Sequence, residues 1–416
     1  MRYSQLFPKT IAKSTSAEES SVNHDLLSRA GFVDRLMAGS YTFLPLGWRV
    51  HQKVEQIIRE EMDKTGAQEM RMPLLHPREV WDRTGRWDKA AEVMYQAKFG
   101  DREYALSFTH EEIALDVIGK RAHSYRDFPI KIYHFSTKFR QELRPRSGLL
   151  RGREFIMKDL YSAHTSSEDL DRYYDAVKAA YLAAFERLGF EARVTEAGGG
   201  VFTDDHTDEF NVFTPIGEST VYYCERCDFA QNDEVFLGKA GDPCPKCAGE
   251  IKETRAIELG NTFKFGTGYA EKMGVGFTAE DGSTQPVWLA SYGIGTSRVV
   301  GALAELFHDD KGLIWPASVA PYRVMLTPIF GRAETEVRAA SDRLYDELQT
   351  EGVEVLYDDR VESPGKKLAD ADLVGLPFRV TVSEKTLGAG NFELKARCDL
   401  EAELVDREQL LARLGT

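Results

Sequence analysis

The sequence predicts an α+β protein: a large sheet-and-helix domain over 1–320 that carries a small cysteine-held insert at 217–255, then a compact α/β domain over 321–416. Three observations predict it. At 416 residues the chain is too long for one small core and calls for two or three domains. Four of its five cysteines fall in one short segment with metal-ligand spacing. The last hundred or so residues alternate strand-like and helix-like patterns, as a compact α/β unit does.

The elements follow in order. Residues 49–64 set Val50, Val54, Ile57, Ile58 and Met62 on one helical face, with Gly66 as a stop. Strand-like runs at 131–142 and 151–161, joined by a turn at 145–148, predict a hairpin. A helix over about 168–188 has a capping-box pattern in Ser166 and Asp169, a stripe from Leu170 to Leu188, and Gly189 as its end. From 217 to 255, Cys, Pro, Gly and charge dominate. An apolar strand at 287–292 leads into a Gly-x-Gly turn and a helix carrying Val299, Leu303 and Leu306. Pro316 and Pro321 mark the domain boundary. Beyond them, strands are expected at 322–329, 353–357, 378–382 and 391–397, with a helix at 334–349.

Composition narrows the class. Apolar content of 42% and charged content of 29% are those of a soluble globular protein. The opening MRYSQLFPKT lacks a signal-peptide pattern and no run reaches membrane-spanning length, so a cytoplasmic protein is expected. A net charge of −14 argues against nonspecific polyanion binding by the whole surface and leaves room for a local patch.

Against that acidic background, residues 138–159, KFRQELRPRSGLLRGREFIMKD, concentrate seven Lys/Arg and two Glu before the closing Asp159. Strand alternation sets Arg140 and Glu142 on one face, and does the same for Arg151, Arg153, Phe155, Met157, Asp159 and Tyr161. The hairpin thus presents a cationic fork, a carboxylate and an aromatic plate to one pocket, as a nucleoside triphosphate and a zwitterionic partner require. The Gly293-Ile-Gly295 turn allows backbone N–H groups close to phosphate. A dinucleotide fingerprint would have a third glycine where Arg298 stands, and an arginine in a helix's first turn suits a polyphosphate better than a packing role. Cys224-x2-Cys227-x16-Cys244-x2-Cys247 predicts a closed tetrahedral structural Zn²⁺ site; two disulfides are the alternative, which an intracellular setting disfavours. Cys398 is expected to be a packed, inert thiol.

Taken together, the apolar-flanked Pro73 after the first helix, the Phe139-Arg-Gln-Glu142 and Arg151-Gly-Arg-Glu-Phe155 arms, and the GIGTSR turn ending in Arg298 stand in the order of the three motifs of class II aminoacyl-tRNA synthetases. FLPLGWRV (43–50), FTHEE (108–112), LLRGREFIMKDLYSAH (149–164), GLIWPASVAPY (312–322) and DDRVESPGKKLADADLVGLPFRV (358–380) closely resemble bacterial-type prolyl-tRNA synthetases, over nearly the whole chain. The resemblance implies an antiparallel catalytic sheet of six to seven strands with flanking helices, a homodimer through the first motif, and a C-terminal anticodon-binding domain. It implies ATP with Mg²⁺, L-proline and tRNA(Pro) as substrates, and a prolyl-adenylate intermediate.

Carried over residue by residue, the resemblance gives Arg140 to the α-phosphate and the proline carboxylate, Glu142 to the adenine amino group and Phe155 to the ring. Arg151 and Arg298 go to the β- and γ-phosphates, beside Gly293 and Gly295. Thr109 and Glu111 receive the imino group, and Met157, Asp159 and Tyr161 line the pocket. His110 points the other way and is expected to be satisfied behind it; Glu154 is expected in a structural salt bridge.

The chain also departs from the family. The large editing insertion of many bacterial relatives is missing, and only the cysteine segment occupies that stretch. A Gly198–Gly200 run stands upstream of Asp208-Glu209-Phe210, and Gly260-Asn261-Thr-Phe263 replaces a Gly-His-Ile-Phe element. Glu209, Asn261 and Phe263 are therefore carried over to the proline pocket. The C-terminal unit holds 13 Lys/Arg against 19 Asp/Glu, so only a local cluster, Arg360, Lys366 and Lys367, offers tRNA contacts. Arg144, Arg146 and Arg153 are either a solvated turn or further phosphate contacts. Rival readings are a synthetase for another small amino acid, an inactive tRNA-binding paralogue, and a zinc-dependent nucleic-acid binder.

Overall fold

The computed structural model describes residues 1–12, 21–143, 145, 147–200 and 206–415; Arg144 and Arg146 lie outside them. Apolar periodicity builds the scaffold. Helix α1 (Pro45–Lys64) starts with proline in its first turn and buries Val50, Val54, Ile58 and Met62 along one face. Strand β1 (Gln68–Glu69), helix α2 (Glu111–Arg121), and strands β2 (Ile130–Phe139) and β3 (Glu154–His164) follow. In α3 (Ser167–Leu188) the Ser166 hydroxyl accepts from the Asp169 N–H, the stripe from Leu170 to Leu188 is buried, and Gly189 closes the helix at φ 97°.

Strands β4 (Ala192–Gly198), β5 (His206–Phe213), β6 (Ser219–Cys224), β7 (Ala230–Asn232), β8 (Ile251–Gly266) and β9 (Trp288–Ile294) complete the sheet, and α4 (Thr296–Leu306) leaves it. Among the described residues the sheet has nine strands in the order β5-β4-β7-β6-β8-β9-β3-β2-β1. It is antiparallel except where β7 meets β4 and β1 meets β2. The expected six to seven strands are exceeded because the cysteine insert is no appendage. Its strands β6 and β7 and the first half of the 16-residue β8 extend the sheet. One face packs on α1, α3 and α4 through Tyr181, Phe185, Tyr292, Val299 and Leu303; the other carries the cleft.

The C-terminal unit comprises β10 (Val324–Pro328), α5 (Glu334–Thr350), β11 (Val355–Tyr357), α6 (Pro364–Val374), β12 (Phe378–Val382), β13 (Phe392–Ala396) and β14 (Glu403–Val405). Its sheet runs β11-β10-β12-β13-β14, parallel in the first two pairings and antiparallel in the rest. Met325, Leu356, Leu373 and Leu376 join the core of the larger unit. The first ten residues lie on this C-terminal unit. The Met1 ammonium donates to the Val355 carbonyl at 2.9 Å, Arg2 pairs with Asp342 at 2.9 Å, and Thr10 Oγ1 donates to Asp370 at 2.7 Å.

That N-terminal segment corrects the basic-cluster expectation. Arg360 pairs with Asp358 at 2.7 Å and Asp370 at 2.9 Å, and its guanidinium lies 4.0 Å from the centroid of the Tyr3 ring. Lys367 is fully buried and donates to the carbonyls of Pro328 and Asp358 at 2.9 and 3.0 Å. Both are structural groups. Lys366, 43% exposed and 2.7 Å from Asp370, alone of the three faces solvent substantially. Cys398 is corrected too: it lies exposed in the turn after β13, because 391–397 ends as a strand at Ala396.

Removing Arg360 strands the buried Asp358 carboxylate and takes from Asp370 one of its two cations. Arg360→Ala is expected to lower unfolding free energy by about 3 kcal/mol in urea titration, and Lys366→Ala by about 0.5 kcal/mol.

Candidate active site

A single row of register partners brings distant residues together. Glu209 of β5 faces Asn261 of β8, which faces Gly293 of β9, which faces Asp159 of β3, which faces His134 of β2. Partners in register project to one side of a sheet. Glu209, Asn261 and Asp159 therefore share the wall of one cavity of about 350 Å³, with Thr109, Glu111, Arg140, Phe155, Met157, Phe263, Gly293 and Gly295. Gly293 leaves a gap in the row; a Cβ there would meet Met157 Sδ at 3.4 Å. Tyr161, expected in the pocket, lies beneath it with 0% exposure. Its hydroxyl accepts the His110 N–H at 2.9 Å and donates to Asp159, so it fixes the Thr109–Glu111 turn from behind.

A second cavity of about 300 Å³ shares Arg140, Phe155, Glu258 and Arg298 with the first and adds Glu142, Leu150 and Arg151. Arg140 stands just past the end of β2, its Nε 3.4 Å from the Phe108 carbonyl and its guanidinium 5.3 Å from the Phe155 ring centroid. Arg298, in the first turn of α4, donates to the Leu150 carbonyl at 2.8 Å and to Glu258 at 3.0 Å. Burial, and next the Arg298 charge, lower the pKa of Arg140. Two guanidiniums in one cavity repel, and an anion between them relieves the cost.

Arg151 pairs with Glu142 at 2.7 Å. Arg153 does not join them: regular strand geometry begins at Glu154, and the Arg153 Nε turns to the Glu142 carbonyl at 2.8 Å. Glu154 accepts from the Ser40 hydroxyl at 3.1 Å and has no ion-pair partner among the described residues.

Three of the pocket carboxylates have cationic partners. Thr109 Oγ1 donates to both Glu111 oxygens at 2.7 Å, and Arg86 reaches Glu111 at 2.9 Å and Glu112 at 3.1 Å. Burial raises the Glu112 pKa despite Arg86. The fully buried Lys138 ammonium stands 2.9 Å from Asp159 and 3.3 Å from His134 Nε2. Burial would raise Asp159, but Lys138 and His134 hold it below the usual carboxylate range. His110 does face away, its Nε2 3.0 Å from the Pro73 carbonyl. The third partnered carboxylate is Glu258, through Arg298. Glu209, by contrast, accepts among the described residues from Asn211 alone, at 3.0 Å; burial, then Glu258, push its carboxyl up to about 8.

Sequence reasoning missed Arg86, Lys138 and Glu258. Alternation from Gly260 along β8 signals Glu258, whereas nothing local to Arg86 does.

The four cysteines converge. Cys224 and Cys247 Sγ lie 3.5 Å apart, Cys227 and Cys244 Sγ 3.6 Å apart, and all four within 4.8 Å of one another. The N–H groups of Arg226 and Lys246 each donate to the sulfur two residues earlier at 3.4 Å. Tetrahedral Zn–S bonds of about 2.3 Å require sulfur separations of roughly 3.8 Å, so the donor set fits zinc.

A model of the tRNA synthetase class II core domain (G, H, P, S and T) matches residues 95–307, and one of an anticodon binding domain matches 323–416. A protein of Anaplasma phagocytophilum named proline--tRNA ligase is 38% identical over 433 positions, covering all of both chains. Another so named, from Acidithiobacillus ferrooxidans, is 34% identical over 564 positions, covering 100% of this chain and 99% of the relative. A third, from Dehalococcoides mccartyi, is 31% identical over 563 positions, covering 100% of this chain and 99% of the relative. The chain belongs to the class II tRNA synthetases and, within them, to the proline--tRNA ligase family. Against the 564-position alignment its 416 residues leave about 150 positions of the Acidithiobacillus relative without a counterpart.

Arg86 is the shared cation of two buried carboxylates. Arg86→Ala is expected to cost about 3–5 kcal/mol of stability, measured by chemical denaturation.

Proposed function

We propose that this chain ligates L-proline to tRNA(Pro) with ATP, through a prolyl-adenylate, and without an editing domain in cis. The observation that carries the reading is the pair of joined cavities with Arg140 and Arg298 at their junction. One cavity has the cations and aromatic face an adenosine phosphate needs; the other has the buried acids an imino nitrogen needs.

In the first step a proline carboxylate oxygen bonds to the α-phosphorus, the bond from that phosphorus to the bridging oxygen breaks, and pyrophosphate leaves with its Mg²⁺. Arg140 spans the carboxylate and the α-phosphate, and Arg298 with Arg151 holds the outer phosphates. Charge stabilisation and alignment do the work, and no protein base is required. Glu142 accepts from the adenine amino group, Phe155 stacks on the ring, and Gly293 and Gly295 leave room for the adenylate. Thr109 and Glu111 receive the secondary ammonium by charge-assisted hydrogen bonds. Met157, Asp159, Glu209, Asn261 and Phe263 shape the slot. In the second step a terminal ribose hydroxyl of the tRNA takes the prolyl group and AMP leaves. Lys366 remains a candidate contact for the anticodon arm.

A slot fitted to a ring does not strongly exclude a smaller amino acid, since missing methylenes forfeit only about 1–3 kcal/mol. With the insertion missing, clearance of mischarged tRNA falls to another molecule. The cysteine set holds a structural Zn²⁺, four thiolates closing its coordination sphere. The family resemblance supports a homodimer through the first motif and a cytoplasmic location; no helix among the described residues is long and apolar enough to cross a membrane.

Proline-dependent exchange of pyrophosphate into ATP tests the activity. The wild-type chain is expected to exchange with proline and not with threonine or glycine, and Arg140→Ala to lose about 10²–10³-fold in kcat. Metal analysis is expected to find one Zn²⁺ per chain, and Cys224→Ser to lose it together with thermal stability. A zinc-free wild type of full stability would refute the metal assignment.

A further inference from the structure

The cysteine insert reaches into the amino-acid cavity. Glu234 lies in the loop between the two cysteine pairs, yet it lines the same cavity as Thr109, Glu111 and Asn261. Its carboxylate presses on the backbone of β4: a Cβ at Gly198 would stand 2.8 Å from Glu234 Oε2. This gives a physical reason for glycine at the start of the displaced Gly198–Gly200 run. A side chain at Gly198 would push that carboxylate aside from its present position.

The loop is held on both sides. Upstream, the Glu234 N–H donates to Asn232 Oδ1 at 3.1 Å, and β7 is tied to β4 through Gln231 Nε2 and Glu196 at 2.6 Å. Downstream, the Phe236 ring packs 4.7 Å from that of Tyr222, inside the cluster containing the four cysteines. Knuckle and carboxylate are therefore one rigid piece.

Charge sets what that piece does. Glu111, Asp159 and Glu258 each have a cation within 3.0 Å. Among the described residues Glu234 and Glu209 have no ion-pair partner; burial, then Glu258, push the Glu209 carboxyl up to about 8. Among the described residues the cavity thus has two carboxylates with no cation of their own, and Glu234 is the one the cysteine insert brings to it.

We propose that Glu234, delivered by the cysteine insert, is a substrate-recognition residue of the amino-acid pocket, its carboxylate attracting the cationic ring nitrogen alongside Thr109 and Glu111. The proposal rests on the amino-acid reading of the preceding subsection. It predicts separate effects on the two substrates. In proline-dependent pyrophosphate exchange, Glu234→Gln is expected to raise the KM for proline about ten-fold and to leave kcat and the KM for ATP within two-fold. Glu234→Asp should recover part of the loss. Glu225→Gln, on the same insert, should match wild type.

An unchanged proline KM in Glu234→Gln overturns the proposal. So does a rise in both KM values with a lowered melting temperature, since that is the behaviour of a merely structural group. Absence of proline-dependent exchange in the wild-type chain would instead remove the amino-acid reading itself, and is visible before any variant is measured.

Discussion

Two half-buried guanidiniums at the junction of two cavities are the constraint on which the rest of this structure depends. Arg140 and Arg298 come from well-separated parts of the sequence, one just past a strand and one from the first turn of a helix. Each is anchored by a carbonyl on one side, Phe108 for Arg140 and Leu150 for Arg298. Holding like charges together costs free energy that the folded chain must offset by packing, and the sheet between them provides it. The apolar face on α1, α3 and α4 fixes the strands, so the opposite face can carry groups that would not cluster unaided.

The same sheet explains how recognition of an anion and of a cation coexist a few residues apart. Along the row from Glu209 to His134 the side chains are acidic or amide at one end and meet the Lys138 ammonium at the other, with Gly293 as the gap between. Most of the acids are already neutralised: Arg86 serves Glu111 and Glu112, and Lys138 serves Asp159. The cavity is therefore only modestly negative, which suits a zwitterion better than a bare cation. Seating the cysteine knuckle on this sheet, instead of beside it, makes the insert part of the pocket.

Legibility in the sequence followed range. The hairpin, the Gly-x-Gly turn and the paired cysteines were readable because each is a local spacing with a chemical reason, and family resemblance joined them into one site. Arg153 was misread because alternation was extended past the strand's true start at Glu154. Tyr161 was misread because periodicity gives a face and not a depth. Arg360 looked like surface charge because nothing near it announces that Tyr3 covers it, and Lys367 because nothing local announces that its ammonium turns inward to the Pro328 and Asp358 carbonyls. Arg86 could not be found at all, since its carboxylates lie 25 and 26 residues away.

A crystal structure of the chain with a non-hydrolysable prolyl-sulfamoyl adenosine tests the central claim most directly. The account predicts the sulfamoyl group between the Arg140 and Arg298 guanidiniums, the purine on Phe155 and the ring nitrogen at Thr109 and Glu111. The ligand bound elsewhere, or bound there with both arginines turned away from it, would contradict the account.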